Sequence, residues 1–100
     1  MRPKPVKIHP AAFAETEAAV TWYRVRSERA AQRYLDELSH AIERISNGPG
    51  QFPLYTFGTR LAPLMRFPYL IVFRETPAAI EIVAIAHGRR VPNYRKDRVH

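Results

Sequence analysis

The chain changes its hydrophobic period once, and that change sets its architecture. Up to Ile45, apolar residues recur every three or four positions; after Asn47-Gly48-Pro49-Gly50 they come in short runs rich in Tyr, Ile, Val and Phe. The first spacing belongs to helices and the second to strands bounded by proline and glycine. One hundred residues leave room for one hydrophobic core, so the two halves must pack on each other. Residues 1–100 are therefore expected to form a single α+β domain.

The elements follow in order. Pro5-Val6-Lys7-Ile8-His9-Pro10 alternates apolar and polar between prolines and reads as a short edge strand. In the next stretch Ala11, Ala14, Ala18, Trp22 and Val25 keep a helical spacing. They predict a first helix with a narrow stripe of small residues, against which another helix packs closely, and Trp22 and Tyr23 are expected inside. Ser27 interrupts the pattern and suits the cap of a second helix. That helix carries the cleanest signal in the chain. Ala31, Tyr34, Leu35, Leu38, Ala41, Ile42 and Ile45 make one apolar face, and Arg29, Arg33, Asp36, Glu37, Glu43 and Arg44 lie mostly opposite. The Asn-Gly-Pro-Gly sequence ends it.

Beyond the break, Arg60–Phe67, Tyr69–Phe73 and Ile80–Ala86 read as three strands of an antiparallel meander, with Thr76-Pro77-Ala78-Ala79 as a turn. The last run is apolar on both parities after Glu81, as in a central strand covered on both faces. The expected fold is an N-terminal strand, a two-helix hairpin and a three-stranded meander in one sheet, with the hairpin on one sheet face.

Composition closes off several chemistries. There is no cysteine, hence no disulfide, thiolate metal site or cysteine nucleophile. The four histidines have no metal-type spacing, no serine sits in a nucleophile elbow, and the glycines are too scattered for a phosphate loop. No cofactor and no metal is expected. The apolar runs are too short for a membrane span and no signal-type stretch follows the basic start, so a cytoplasmic protein without a membrane partner is expected.

The charge points the other way, toward a partner. Sixteen Lys and Arg against nine Asp and Glu give +7, and thirteen of the sixteen are arginine. Residues 60–100 hold eight basic and three acidic groups, a net of +5, against +2 for residues 1–59. Either this only keeps the protein soluble or it meets an anionic partner, nucleic acid or an acidic protein. Arg60, Arg66, His87, Arg89, Arg90 and Tyr94 stand where they could share one side of the sheet. Metal-free RNA cleavage needs a proton acceptor, a proton donor and cations around the phosphorane. His87 or Tyr94 would move protons, and Arg60 and Arg66 would hold phosphate. Equally, His87 could anchor a strand end, Tyr94 could pack under the tail, and Arg60 and Arg66 could pair with Glu75 or Glu81.

These motifs together resemble the RelE/ParE toxin superfamily. His9-Pro10-Ala11-Ala12, Glu15, Ala18 and Trp22-Tyr23 are similar to its first helix, and Arg33-Tyr34-Leu35, Ala41-Ile42-Glu43-Arg44-Ile45 and Phe52-Pro53 follow in order. The strongest part is Arg66-Phe67-Pro68-Tyr69-Leu70-Ile71-Val72-Phe73-Arg74, continued by Ala84-Ile85-Ala86-His87-Gly88-Arg89-Arg90, Pro92 and Tyr94. It looks like the ParE-type, plasmid-stabilisation branch and spans about residues 6–98. The resemblance implies the toxin of a type II toxin–antitoxin pair, held with its cognate antitoxin in a hetero-oligomer. ParE-like members poison DNA gyrase and RelE-like members cut mRNA at the ribosome; the long hairpin is similar to the ParE side. It also implies that Arg60, Arg66, His87, Arg89 and Tyr94 stand at or near positions used by the family's ribonucleases. Arg89, Arg90, Arg95, Lys96 and Arg98 form the expected binding surface. The family usually ends Tyr-Trp where this chain has Tyr94-Arg95, so a degenerate toxin that only binds its antitoxin stays among the readings.

Overall fold

A computed structural model describes residues 4–88 of the chain. Strand β1 (Val6–Ile8) leads into α1 (Pro10–Arg26) and α2 (Glu28–Asn47), and a 3₁₀ turn (Pro49–Gln51) follows. Strands β2 (Arg60–Pro63), β3 (Tyr69–Glu75) and β4 (Ile80–His87) complete one four-stranded sheet in the order β1-β4-β3-β2. The meander is antiparallel, as its short connections require, whereas β1 runs parallel to β4 because the whole hairpin intervenes.

The helix boundaries have local causes. His9 caps α1 by accepting the Ala11 N–H on Nδ1 at 3.0 Å, and Pro10 fills the first position, where no N–H is needed. Ser27 serves both helices. Its own N–H donates to the Tyr23 carbonyl at 2.7 Å, closing α1, and its Oγ accepts the Ala30 N–H at 3.2 Å, opening α2. A single residue thus makes the joint of the hairpin.

Helix α2 lays Ala31, Tyr34, Leu38, Ala41 and Ile45 into the core, with Leu35 and Ile42 half-buried. Facing them from the sheet are Ile71, Phe73, Ile80, Ile82 and Ile85. The other sheet face carries a smaller cluster, where Leu61, Val72 and Ala84 stand side by side across three strands and Val83 adds to it. Strand β4 is central and its apolar residues on both parities are buried, as its sequence predicts.

Three expectations need correction. The first concerns α1, whose inward face is Ala12, Ala19 and Val20 with Tyr23 half-buried. The predicted stripe points out: Ala14 and Ala18 are exposed, Trp22 is 50% and Val25 79% accessible. The helix is apolar on two sides, so spacing alone does not choose between them. Contacts choose. Turning Tyr23 inward places it against Tyr34, Phe67 and Tyr69, and turns Glu15 toward β4, where it accepts the Ile85 N–H at 3.0 Å. Strand β1 pairs with β4 only as far as Ile82, so that N–H needs another acceptor.

The second correction is that β2 ends at Pro63, leaving Arg66 in the β2–β3 loop rather than on a strand. Proline there donates no ladder bond, and the Leu64 N–H instead folds back onto the Tyr69 carbonyl at 2.9 Å. The third is that Arg60 and Arg66 pair with neither Glu75 nor Glu81. Glu75 meets Lys4 at 2.7 Å and Glu81 meets its cross-strand neighbour Arg74 at 2.6 Å.

Candidate functional site

One end of the sheet gathers what the sequence singled out. There β4 finishes at His87, opposite Tyr69 at the start of β3, with the two rings 5.6 Å apart and nearly perpendicular. Beside them runs the β2–β3 loop with Arg66, Phe67 and Pro68. Three backbone contacts shape this loop: Tyr69 N–H to Phe67 O at 2.8 Å, Gly88 N–H to Pro68 O at 2.7 Å, and the Leu64–Tyr69 bond. A fourth clamp comes from α2. Both carboxylate oxygens of Glu37 accept the Arg66 N–H, at 2.9 and 3.2 Å, fixing the loop against the hairpin while the Arg66 side chain stays exposed.

An aromatic cluster supports this end from below. Tyr34 lies 5.5 Å from Tyr23, 5.4 Å from Phe67 and 5.5 Å from Tyr69. Such pairs, mostly edge-to-face, add about 0.5–1.5 kcal/mol each beyond their buried area. The Tyr34 hydroxyl is buried and has no hydrogen-bond partner. Burial above all, then the neighbouring Tyr69, Tyr23 and Glu15, pushes its pKa well above the ordinary tyrosine value; burial and Tyr69 raise Tyr23 as well. Neither phenol is a proton-transfer group near neutral pH.

The candidate residues divide as follows. His87 and Arg66 come to the same end of the sheet. Arg60 does not: it pairs with Phe73, four residues along β3 from the Tyr69–His87 pair. At about 3.3 Å per residue this is about 13 Å. Its guanidinium is also occupied, donating to the Phe52 carbonyl at 2.6 Å. Arg60 follows a tight turn in which Phe57 and Gly58 both have positive φ, 57° and 73°, the geometry of a two-residue hairpin loop. Arg89, Arg90, Tyr94, Arg95, Lys96 and Arg98 lie outside the described residues, directly after the strand that ends at His87. Glu37 was missed by sequence reading, because nothing in the spacing of a solvent-face carboxylate shows which loop it will hold.

Among the described residues no three His, Asp or Glu side chains gather as a metal site would need, and no helix is long and apolar enough to cross a membrane. What remains is an aromatic-backed sheet end carrying Arg66 and His87, followed in sequence by five basic residues.

No curated protein matches the chain. Among solved structures, it is similar to a chain of the chromosomal ParDE toxin–antitoxin system from P. aeruginosa, at 22% identity with a TM-score of 0.74. That match covers 84% of this chain and 95% of the other and shows a shared fold. The family profile described as the ParE toxin of the type II toxin–antitoxin system parDE matches residues 6–92. The match runs from β1 through the hairpin and the whole sheet to Pro92, and on that extent the chain belongs to the ParE toxin family of type II toxin–antitoxin systems.

Proposed function

We propose that the chain is a growth-inhibiting toxin that binds and poisons DNA gyrase and is neutralised by a cognate antitoxin in a toxin–antitoxin complex. The observation that carries this reading is the separation of Arg60 from His87 by four residues along β3, with the Arg60 guanidinium engaged by the Phe52 carbonyl. Metal-free phosphoryl transfer needs its cations and proton-transfer groups around one phosphate. A binding toxin needs only a presented surface, and Arg66 with the basic residues after His87 suits an anionic or DNA-bearing target. The antitoxin partner follows from membership of the family and from the similarity to the ParDE system.

A ribonuclease reading has one supporting observation, the placement of His87 and Arg66 at one end of the sheet. The two mechanisms separate in one experiment. His87→Ala and Tyr94→Ala remove proton-transfer capacity and leave the arginines in place. On induction of the chain alone, a gyrase poison keeps its DNA-damage response in both variants and leaves bulk mRNA intact. A ribonuclease cleaves mRNA and loses about 10²–10⁴-fold of that activity on either substitution. Growth inhibition abolished by both substitutions in folded protein would sink the gyrase reading.

A further inference from the structure

We propose that the turn between the 3₁₀ segment and β2 is a self-association surface, through which one copy of the chain meets a second copy. It is separate from the helical hairpin and from the sheet end that carries His87, and it does not depend on whether the chain acts on gyrase or on RNA.

The sequence marks the segment first. Residues 45–59 carry no charge, the longest such stretch in a chain that is 25% charged. Much of it is nevertheless on the surface: Leu54 is 70% and Phe57 56% exposed, with Pro53 and Thr56 exposed beside them. Interface cores are depleted in charge and enriched in aromatic residues relative to the remaining surface.

The backbone marks it again. The Thr59 N–H donates to the Thr56 carbonyl at 3.1 Å across Phe57 and Gly58, whose positive φ values, 57° and 73°, make a type I′ turn. The first central position of such a turn suits Asn, Asp or Gly. A phenylalanine there is strained, and its ring, more than half exposed, returns little to the core. The turn is firmly held all the same. The buried Thr59 hydroxyl also donates to the Thr56 carbonyl, and the Tyr55 N–H donates to the Thr59 carbonyl at 2.7 Å. A fixed and exposed aromatic is of little use to folding, but it suits binding, since little order remains to be imposed on contact.

The same segment offers backbone. Leu54 faces Arg60 in an isolated antiparallel bridge, flanked by the Tyr55–Thr59 bond and by a bond from the Leu61 N–H to the Pro53 carbonyl at 3.1 Å. In that pattern the N–H and C=O of Leu54 itself point away from β2. Pro53 does not obstruct them, because its own carbonyl is turned toward β2. Two copies related by a two-fold axis can exchange both bonds between their Leu54 residues, placing the two Phe57 turns on opposite sides of the axis.

Charge decides the occupant. A two-fold contact sets a surface against its own copy, so a basic face of this +7 chain would oppose arginine to arginine. Residues 45–59 let two copies approach without that penalty, whereas an acidic protein or a phosphate backbone gains nothing from an uncharged strip.

Sedimentation equilibrium of the full chain from about 1 to about 100 μM tests this, at about 0.15 and about 0.5 M salt. A monomer–dimer equilibrium is expected, unchanged or tightened by salt, which screens repulsion between the +7 copies and finds no ion pair to weaken. Phe57→Asn gives the turn a residue it prefers. It should weaken the dimer by about tenfold or more while holding or raising the urea midpoint. Leu54→Asp should weaken the dimer as much, by setting two carboxylates together. Met65→Asn alters a still more exposed apolar residue, at 82%, in the β2–β3 loop, and should change the dimer by less than about threefold. A chain that stays monomeric at about 100 μM in both salts overturns the proposal. So does a dimer that salt dissolves, equal weakening by Met65→Asn, or a dimer that persists in folded Phe57→Asn or Leu54→Asp.

Discussion

Helices α1 and α2 adjoin in sequence and pack side by side, yet they carry opposite kinds of pattern. Helix α2 has one apolar face, and every residue of it turns inward, fully or in part. Helix α1 is apolar on two sides. Ala12, Ala19, Val20 and Tyr23 face the core, and Ala14, Ala18, Trp22 and Val25 face out. The contrast shows that a single apolar stripe fixes a helix's rotation before any neighbour is known, while two stripes leave the rotation to the neighbours. It also marks the outward stripe of α1 as apolar surface that folding does not consume.

Four substitutions or conditions test that contrast, beginning with the greatest effect. Ile45 is fully buried under α2 and Val25 is largely exposed on α1. Ile45→Ala should cost about 2–5 kcal/mol in urea denaturation, whereas Val25→Ala should stay within about 0.5 kcal/mol. Similar losses would mean that both faces of α1 support the fold, and the contrast would fail.

The second test uses Tyr34, the largest buried side chain of α2. Its folded pKa lies above its unfolded value, so its neutral form is favoured in the native state. The associated stability is complete below about pH 10, the unfolded tyrosine value, and is lost as pH rises from there through the folded pKa. The slope reaches about 1.4 kcal/mol per pH unit for this one group. Tyr34→Phe should flatten that part of the profile. At neutral pH it should be neutral, or stabilising by up to about 1 kcal/mol, because the hydroxyl has no partner to lose. Unchanged alkaline sensitivity in the variant would show that the ring is not sealed from solvent.

Next comes the joint between the helices. Ser27→Ala removes the side-chain cap of α2 and should lower stability by about 1 kcal/mol without altering the core. A loss below about 0.3 kcal/mol would mean that the backbone turn alone holds the joint, since that is the scale of a near-neutral cap replacement.

The smallest effect on global stability is expected at Glu37. Replacing it with alanine should leave the denaturation midpoint nearly unchanged but speed amide exchange at Arg66 by about tenfold, because the clamp on the loop is local. Slow exchange persisting in Glu37→Ala would assign the loop's order to its own backbone bonds.

The legible parts of this chain share a cause. The edge strand between Pro5 and Pro10, the cap at Ser27, the stop at Gly48 and the turn at Thr76–Ala79 are set by residues within a few positions of each other. Strand β4 announces its central place because burial on both faces demands apolar residues on both parities. The candidate site was legible only in part. His87 could be placed at a strand end from the run before it. Its proximity to Arg66 and its distance from Arg60 depend on strand register, and the length of β2 depends on how the chain folds back at Pro63 and Leu64.

The sequence by itself determined the element types, their order and the net positive charge, because periodicity, capping and composition act locally or sum over the chain. Only the tertiary structure decided the rotation of α1, the parallel pairing of β1 with β4, the Glu37 clamp on the Arg66 loop and the partners of the charged side chains. Each of these is a competition between near-equal local options, settled by contacts between residues far apart in the chain. Tyr23 turns inward because Tyr34, Phe67 and Tyr69 are there to receive it, and Trp22 is left on the surface by the same rotation.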